Sequence, residues 1–445
     1  MQSAIAVWCR LALAGSLALG WVLAAEAGAQ SVVEAGDPQL GQPSRAAGPP
    51  GDWTPPFACT GTGILAGDRA GFGVSVGSGR VVVGAPFADL GCGPGAPGCD
   101  QGVVHVFDAV SGAQLLEVHP STPSQGFGYV TAVQDGVLLV GAFAEDGLAG
   151  AAYVFDVVSG AQLHRWRPDD IVSPESFGNS VDLDGGLALV GAKWDAAAAG
   201  AAYLYDVASG TQLHKLTAPD GVPGDWFGEW VALDGDRALV GAHRKHAGSG
   251  AAYLFDVPSG AVLGKFVAAD LAPGDWFGRS VDLEGNRALI GAPRQGAGAV
   301  YVFDTTTGQQ MAKLVAPGGQ VGDQFGVDVA VDGGRALVGA YLADSQAGVA
   351  WLVDLAGGDP TAVFQAPQPA AGDWLGVQVA LSGGTAVLGA PGDDDVCGAP
   401  GCDAGTAWVW RQPPFEWEPD PAGDLRAVLS TAAPIPVTVL LPAGR

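Results

Sequence analysis

Asp282, Glu284 and Asn286 alternate along "VDLEGNRA", with Gly285 among them. Oxygen donors at every second position, with a glycine to bend the chain, are the opening of a hard-cation loop, because Ca2+ takes about six to eight oxygens. The same residues also suit a tight turn between two strands. Asp393-Asp394-Asp395 is a second cation candidate, with a solvated charge run as its plainer reading. His243-Arg244-Lys245-His246 and Arg294 form a basic group, and Trp194 and Tyr341 stand in the matching loops of other copies. Aromatic and arginine side chains of this kind serve as contact anchors for a protein or glycan partner. Cys92 with Cys99, and Cys397 with Cys402, bracket similar Cys-Gly…Pro-Gly-Cys loops. Each pair suits a short disulfide loop or, together, a thiolate zinc site, and an exported chain favours the disulfides. Cys59 is left over. The sequence contains no Gly-x-Ser-x-Gly, His-Glu-x-x-His or phosphate-loop motif.

These residues sit in a repeated unit of about fifty residues, the period of propeller blades. "GDWFGRSVDLEGNRALIGAP" recurs as "GDWFGEWVALDGDRALVGAH" and "PESFGNSVDLDGGLALVGAK". The Phe-Gly step is read at Phe72, Phe127, Phe177, Phe227, Phe277 and Phe325, with Leu375-Gly376 in the last copy. Each unit holds four short runs, such as "FGNSVDL", "LALVGA", "GAAYLYD" and "TQLHKLTAP", broken by Gly, Asp and Pro. That pattern predicts antiparallel strands. Four strands in each of seven units predict an all-β, seven-bladed β-propeller of four-stranded antiparallel blades. The recurring Asp108, Asp156, Asp206, Asp256 and Asp304 each precede a Gly by four, which is turn chemistry rather than catalysis. His164 and His214 share one blade position, and His105 stands where Tyr153, Tyr203 and Tyr253 stand.

The units resemble FG-GAP repeats, the blade type of integrin α-subunit heads and many secreted bacterial proteins. Phe277-Gly278 with Gly291-Ala292-Pro293, Phe72-Gly73 with Gly84-Ala85-Pro86, and Gly389-Ala390-Pro391 carry the resemblance. It implies a propeller head that binds partners and, in some repeats, a calcium loop of the form D-x-D/N-x-D-G-x-x-D. Here Arg287 stands where that glycine belongs and Ile290 where the last carboxylate belongs, so no cofactor is expected and Ca2+ is weighed only at Asp393-Asp394-Asp395. The Asp206…Gly210 frame is also similar to quinoprotein repeats. His214, His164, Gly264 and Ala312 occupy the place of their docking Trp, which weakens that case.

The chain of 445 residues has 46 acidic and 20 basic residues, a net charge of -26, which argues against nucleic acid or an anionic membrane as partner. Residues 1–29 read as a signal peptide with Ala27-Gly28-Ala29 before the cleavage point, and no later segment suits a membrane span. Residues 30–52 read as a Gly/Pro/Ala-rich linker, 53–419 as the propeller and 420–445 as a Pro/Ala-rich tail. Either "WTPPFACTGTGIL" or "FEWEP" supplies the outer strand of the last blade, and the N-terminal segment has the better position. The "GDW" and related aspartates are expected to make the variable loop face acidic around a basic island. The expected function is a secreted, non-enzymatic scaffold binding a protein or glycan at that face. The alternative is a propeller enzyme (quinoprotein-like dehydrogenase, lyase or hydrolase) with its site in the central channel.

Overall fold

A computed structural model describes residues 53–89, 101–121, 124–170, 174–395, 402–412, 415–419 and 425–429, the last two segments as backbone. Residues 1–29 and 30–52, read as a signal peptide and a linker, and Cys92, Cys99 and Cys397 lie outside the described residues. Seven four-stranded antiparallel sheets make the blades. In blade five, Ser280–Glu284 pairs with Arg287–Ala292, which pairs with Ala299–Asp304, which pairs with Gln310–Leu314. The seventh blade is composite: Phe57–Cys59 is its outer strand, set against Thr406–Arg411 with Phe57 opposite Val409. The N-terminal segment therefore closes the ring. Phe415–Pro419, the other candidate, pairs instead with Leu425–Leu429.

The alternation read in the sequence buries small and aliphatic residues between neighbouring blades. Leu239, Leu254 and Phe266 of blade four share one cluster with Ile290, Tyr301 and Phe303 of blade five. From Phe127 to Phe325 each Phe of the Phe-Gly step is fully buried and meets an aromatic of the third strand edge-on, as Phe277 meets Tyr301 at 5.4 Å. A glycine of the preceding blade bridges to that Phe: Gly150 to Phe177, Gly200 to Phe227 and Gly250 to Phe277. The copies differ at blade one. There Ala70 makes the bridge, to Gly405, and Gly71 N–H bonds to Gly84 O as Gly228 does to Gly241. The structural step is thus Ala70-Gly71, two residues before the Phe72-Gly73 read from the sequence. Asp68 confirms the shift, since its carboxylate caps Leu65 N–H as Asp225 caps Val222.

The stretch around Asp282 is a hairpin, with Glu284 opposite Arg287 across the turn. Its acids tie the ring together. Asp282 accepts the N–H of Val331 in the next blade at 2.6 Å, and Glu284 accepts that of Gly334 at 3.0 Å. Asp184 to Gly235, Asp234 to Gly285 and Asp332 to Gly383 repeat the second contact. Turn carboxylates that looked like cation ligands are inter-blade latches. The Asp of the third-to-fourth strand turns behaves as expected: Asp206 accepts Ser209 N–H at 2.7 Å.

Candidate functional site at the loop face

The second-to-third strand loops and the fourth-to-first connections meet on one face, around the channel mouth. Among the described residues, four of these loops contain a left-handed turn, at Glu145–Leu148, Asp195–Ala198, Lys245–Gly248 and Ala343–Gln346. Ala196, Ala197 and Ala198 all have positive φ, a conformation costing roughly 1–2 kcal/mol per residue for L-amino acids. Side chains hold three of the turns down: Glu145 accepts the Tyr153 hydroxyl, Asp195 the Tyr203 hydroxyl, and Lys245 bonds Asp225 at 2.8 Å. The turn carbonyls then fix the next blade. Ala198 O accepts Trp226 N–H, Gly248 O accepts Trp276 N–H and Gln346 O accepts Trp374 N–H. All three tryptophans have φ near +60°, which is rare for a bulky residue and marks stored strain.

The tryptophans carry cations. The Arg244 guanidinium lies 3.7 Å from the Trp226 ring centre, Arg294 lies 3.3 Å from Trp276, and Arg69 lies 5.4 Å from Trp374. His243 packs edge-on against both Trp226 and Trp276. Beneath them residues that follow the Phe-Gly steps of several blades line the mouth, including Phe72, Tyr129, Glu229 and Arg279. Phe72 stacks on Tyr129 at 5.1 Å, and Arg279 covers Trp230 at 4.0 Å. A crevice of about 60 Å³ remains among these groups. Glu229 is buried between Lys193 at 3.1 Å and His243 at 2.6 Å. Burial opposes its charge, but His243, Lys193 and Arg279 outweigh burial and hold its carboxyl well below the usual range. Burial lowers His243 itself.

The structure divides the residues singled out in the sequence. Arg244, stacked on Trp226, lines the crevice with buried Tyr341, whereas Arg294, stacked on Trp276, lies outside the crevice lining. His243 is buried at the mouth. Lys245 is turned back onto Asp220 and Asp225, while His246 is exposed beside Lys265. The basic island is thus not one surface. Trp194 lies near Lys193, outside the crevice lining. Asp393 accepts Trp408 Nε1–H and Asp395 N–H, and Asp394 accepts Asp403 N–H. Asp393 thereby matches the loop anchors Glu145 and Asp195. Among the described residues no three His, Cys, Asp or Glu side chains are grouped to hold a metal ion. Of the aspartates expected to make this face acidic, Asp225, Asp275, Asp323 and Asp373 are buried, each capping the N–H three residues before it, while Asp220 and Asp270 are half-exposed and paired with Lys265 and Lys313. Arg69 and Arg279 were missed. The blade-one shift would have found Arg69, which aligns with Trp226; Arg279 follows Phe277-Gly278 directly.

On the opposite, hairpin face the channel opens as a cavity of about 490 Å³. Asp182, Asp282 and Asp328 line it. Burial pushes Asp182 up to about 7 and Asp328 up to about 6, and raises Asp282 well above the usual range. These three carboxyls therefore hold more protons in the native than in the unfolded chain from about pH 4 to 7, and their contribution to stability drops as pH rises through that window. His105, lowered by burial to about 4, and His243, also lowered by burial, act in the opposite direction below about pH 6.5. Between pH 6.5 and about 8 the carboxyls dominate. The Tm is expected to fall over that interval, and Asp182→Asn to flatten the slope; a Tm that climbs instead would refute the assignment.

The FG-GAP repeat family model matches residues 162–205, 211–255, 262–303, 309–352 and 361–410, together just over half of the chain. No curated protein matches it. Among the described residues no helix is long and apolar enough to cross a membrane.

Proposed function

The chain belongs to the FG-GAP repeat family, and from that premise we propose an exported, non-enzymatic propeller that binds a protein or glycan partner through its loop face. The observation that carries this reading is the set of strained, partly exposed tryptophans stacked by Arg244, Arg294 and Arg69 around the channel mouth. Trp, Tyr and Arg clustered at the centre of a face are the usual anchors of an interface. The strain supports a use beyond folding, since less strained residues serve the same frame elsewhere: Gly126 replaces the Trp in blade two.

A pull-down of secreted and surface proteins and glycans, with and without calcium, tests the proposal. The Arg244→Ala/Arg294→Ala variant is expected to weaken capture by about tenfold or more with little change in Tm. Capture unaffected by that variant would remove the loop face from consideration. Export is checked by the N-terminus of the mature protein, expected at Gln30.

A channel enzyme is the second reading, favoured by the raised carboxyls of Asp182, Asp282 and Asp328. Against it, all three accept backbone N–H groups of the following blade, Leu233, Val331 and Val379. Turnover of a redox dye or hydrolytic substrate, lost in Asp182→Asn/Asp282→Asn, would establish it in place of the binder.

A further inference from the structure

The crevice at the channel mouth has donors to spare. Arg244 Nε, Arg279 Nη1 and Trp374 Nε1 are buried and have no hydrogen-bond partner within the protein. All three belong to residues that line this one crevice. Buried donors are nearly always satisfied, so three unmet ones in one place point to an acceptor that arrives from outside. The charge agrees. Lys193, Arg244 and Arg279 line the crevice against the single carboxylate of Glu229, which Lys193 and His243 already meet. We propose that this crevice binds the carboxylate of an aspartate or glutamate side chain presented by a protein partner.

Shape and charge select that source. The faces of Trp226 and Trp276 are already covered by Arg244 and Arg294, so they do not offer open platforms for a sugar ring. What remains is a narrow opening of about 60 Å³ edged by guanidinium N–H groups, suited to a carboxylate on a thin stem. The chain as a whole is strongly acidic, at a net charge of -26, and repels polyanions such as polyuronates. One acid on an otherwise neutral or basic loop escapes that repulsion. The carboxylate site rests on the reading that this face binds a partner.

The probes are N-acetyl-glycyl-glutamyl-glycinamide, its glutamine counterpart and free glucuronate, titrated into the mature protein while tryptophan fluorescence is followed. Saturable binding of the glutamyl peptide is expected, with the glutamine peptide weaker by about tenfold. Arg279→Gln and Arg244→Gln, each checked for an unchanged circular dichroism spectrum, are each expected to abolish that preference. Should Arg279→Gln fail to fold, Arg244→Gln alone decides. Equal binding of the two peptides, or a preference that survives Arg244→Gln, overturns the proposal; binding of glucuronate alone transfers the site to an acidic glycan and overturns the protein assignment. A partner recovered by pull-down and held equally well by Arg244→Gln would overturn the crevice and leave the binding face standing. Glutamyl-peptide binding with no partner recovered would do the reverse.

Discussion

A chain that begins at residue 63 is expected to lose most of its stability, whereas one that begins at residue 53 keeps it. Only three residues, Phe57–Cys59, complete the seventh blade. They are backed by Trp53, which packs edge-on against Phe364 at 5.0 Å, and by Thr54, whose N–H bonds to Arg411 O at 2.8 Å. Cys59 is fully buried, and Thr60 bonds Thr406 across the same seam. Deletion uncovers the edge of Thr406–Arg411 together with the apolar layer between blades seven and one. Loss of a buried Trp alone costs about 3–5 kcal/mol, against a typical total of about 5–15. The urea midpoint should collapse, and the shorter chain should aggregate. A synthetic peptide of residues 53–62 should restore the midpoint, because the closing strand is a separate piece of the blade. Equal midpoints for the two chains would show that the ring closes without this strand.

Gly250→Ala is expected to unfold the protein where Gly285→Ala barely affects it. Both glycines have positive φ, +91° and +55°. At Gly250 an added Cβ would lie 1.9 Å from Phe277 O and 2.9 Å from Phe277 N, backbone atoms of the next blade that cannot step aside. At Gly285 a Cβ meets nothing within 4 Å. The turn substitution therefore costs about 1 kcal/mol, the price of a left-handed alanine. The bridge substitution adds a clash with main chain on which blades four and five are registered, and more than about 4 kcal/mol is expected. Urea unfolding of the two variants separates these figures. Similar losses would mean that the Gly-Phe bridge does not set the register.

Both expectations depend on residues whose importance is unequally visible in the sequence. Gly250 precedes a run of alternating small and aromatic residues and recurs in nearly every copy, so the period alone exposes it. Blade number, strand number and the Asp-Gly turns were legible for the same reason: seven repetitions average away local ambiguity. Blade one shows the limit. Its Phe72-Gly73 matches the motif, yet Ala70-Gly71 occupies the place, because what the fold demands there is a small bridge partner and a glycine at positive φ. Letters alone do not distinguish the two registers.

The candidate site was less legible. A run of four basic residues, His243 to His246, looks like one surface when written in a line. A left-handed turn sends each side chain in a different direction, so Lys245 is buried on Asp225 while Arg244 lies on Trp226. The carboxylates of "GDW" looked like surface charge and are buried caps. By itself the sequence determined the repeat, the alternation and the turn chemistry, since these follow from contacts a few residues apart. Only the tertiary structure decided which strand closes the ring, that Asp282 and Glu284 latch one blade to the next, and that Arg69, Arg244 and Arg279 share one mouth. Those residues are separated by up to about two hundred positions, and only closure of the ring brings them together.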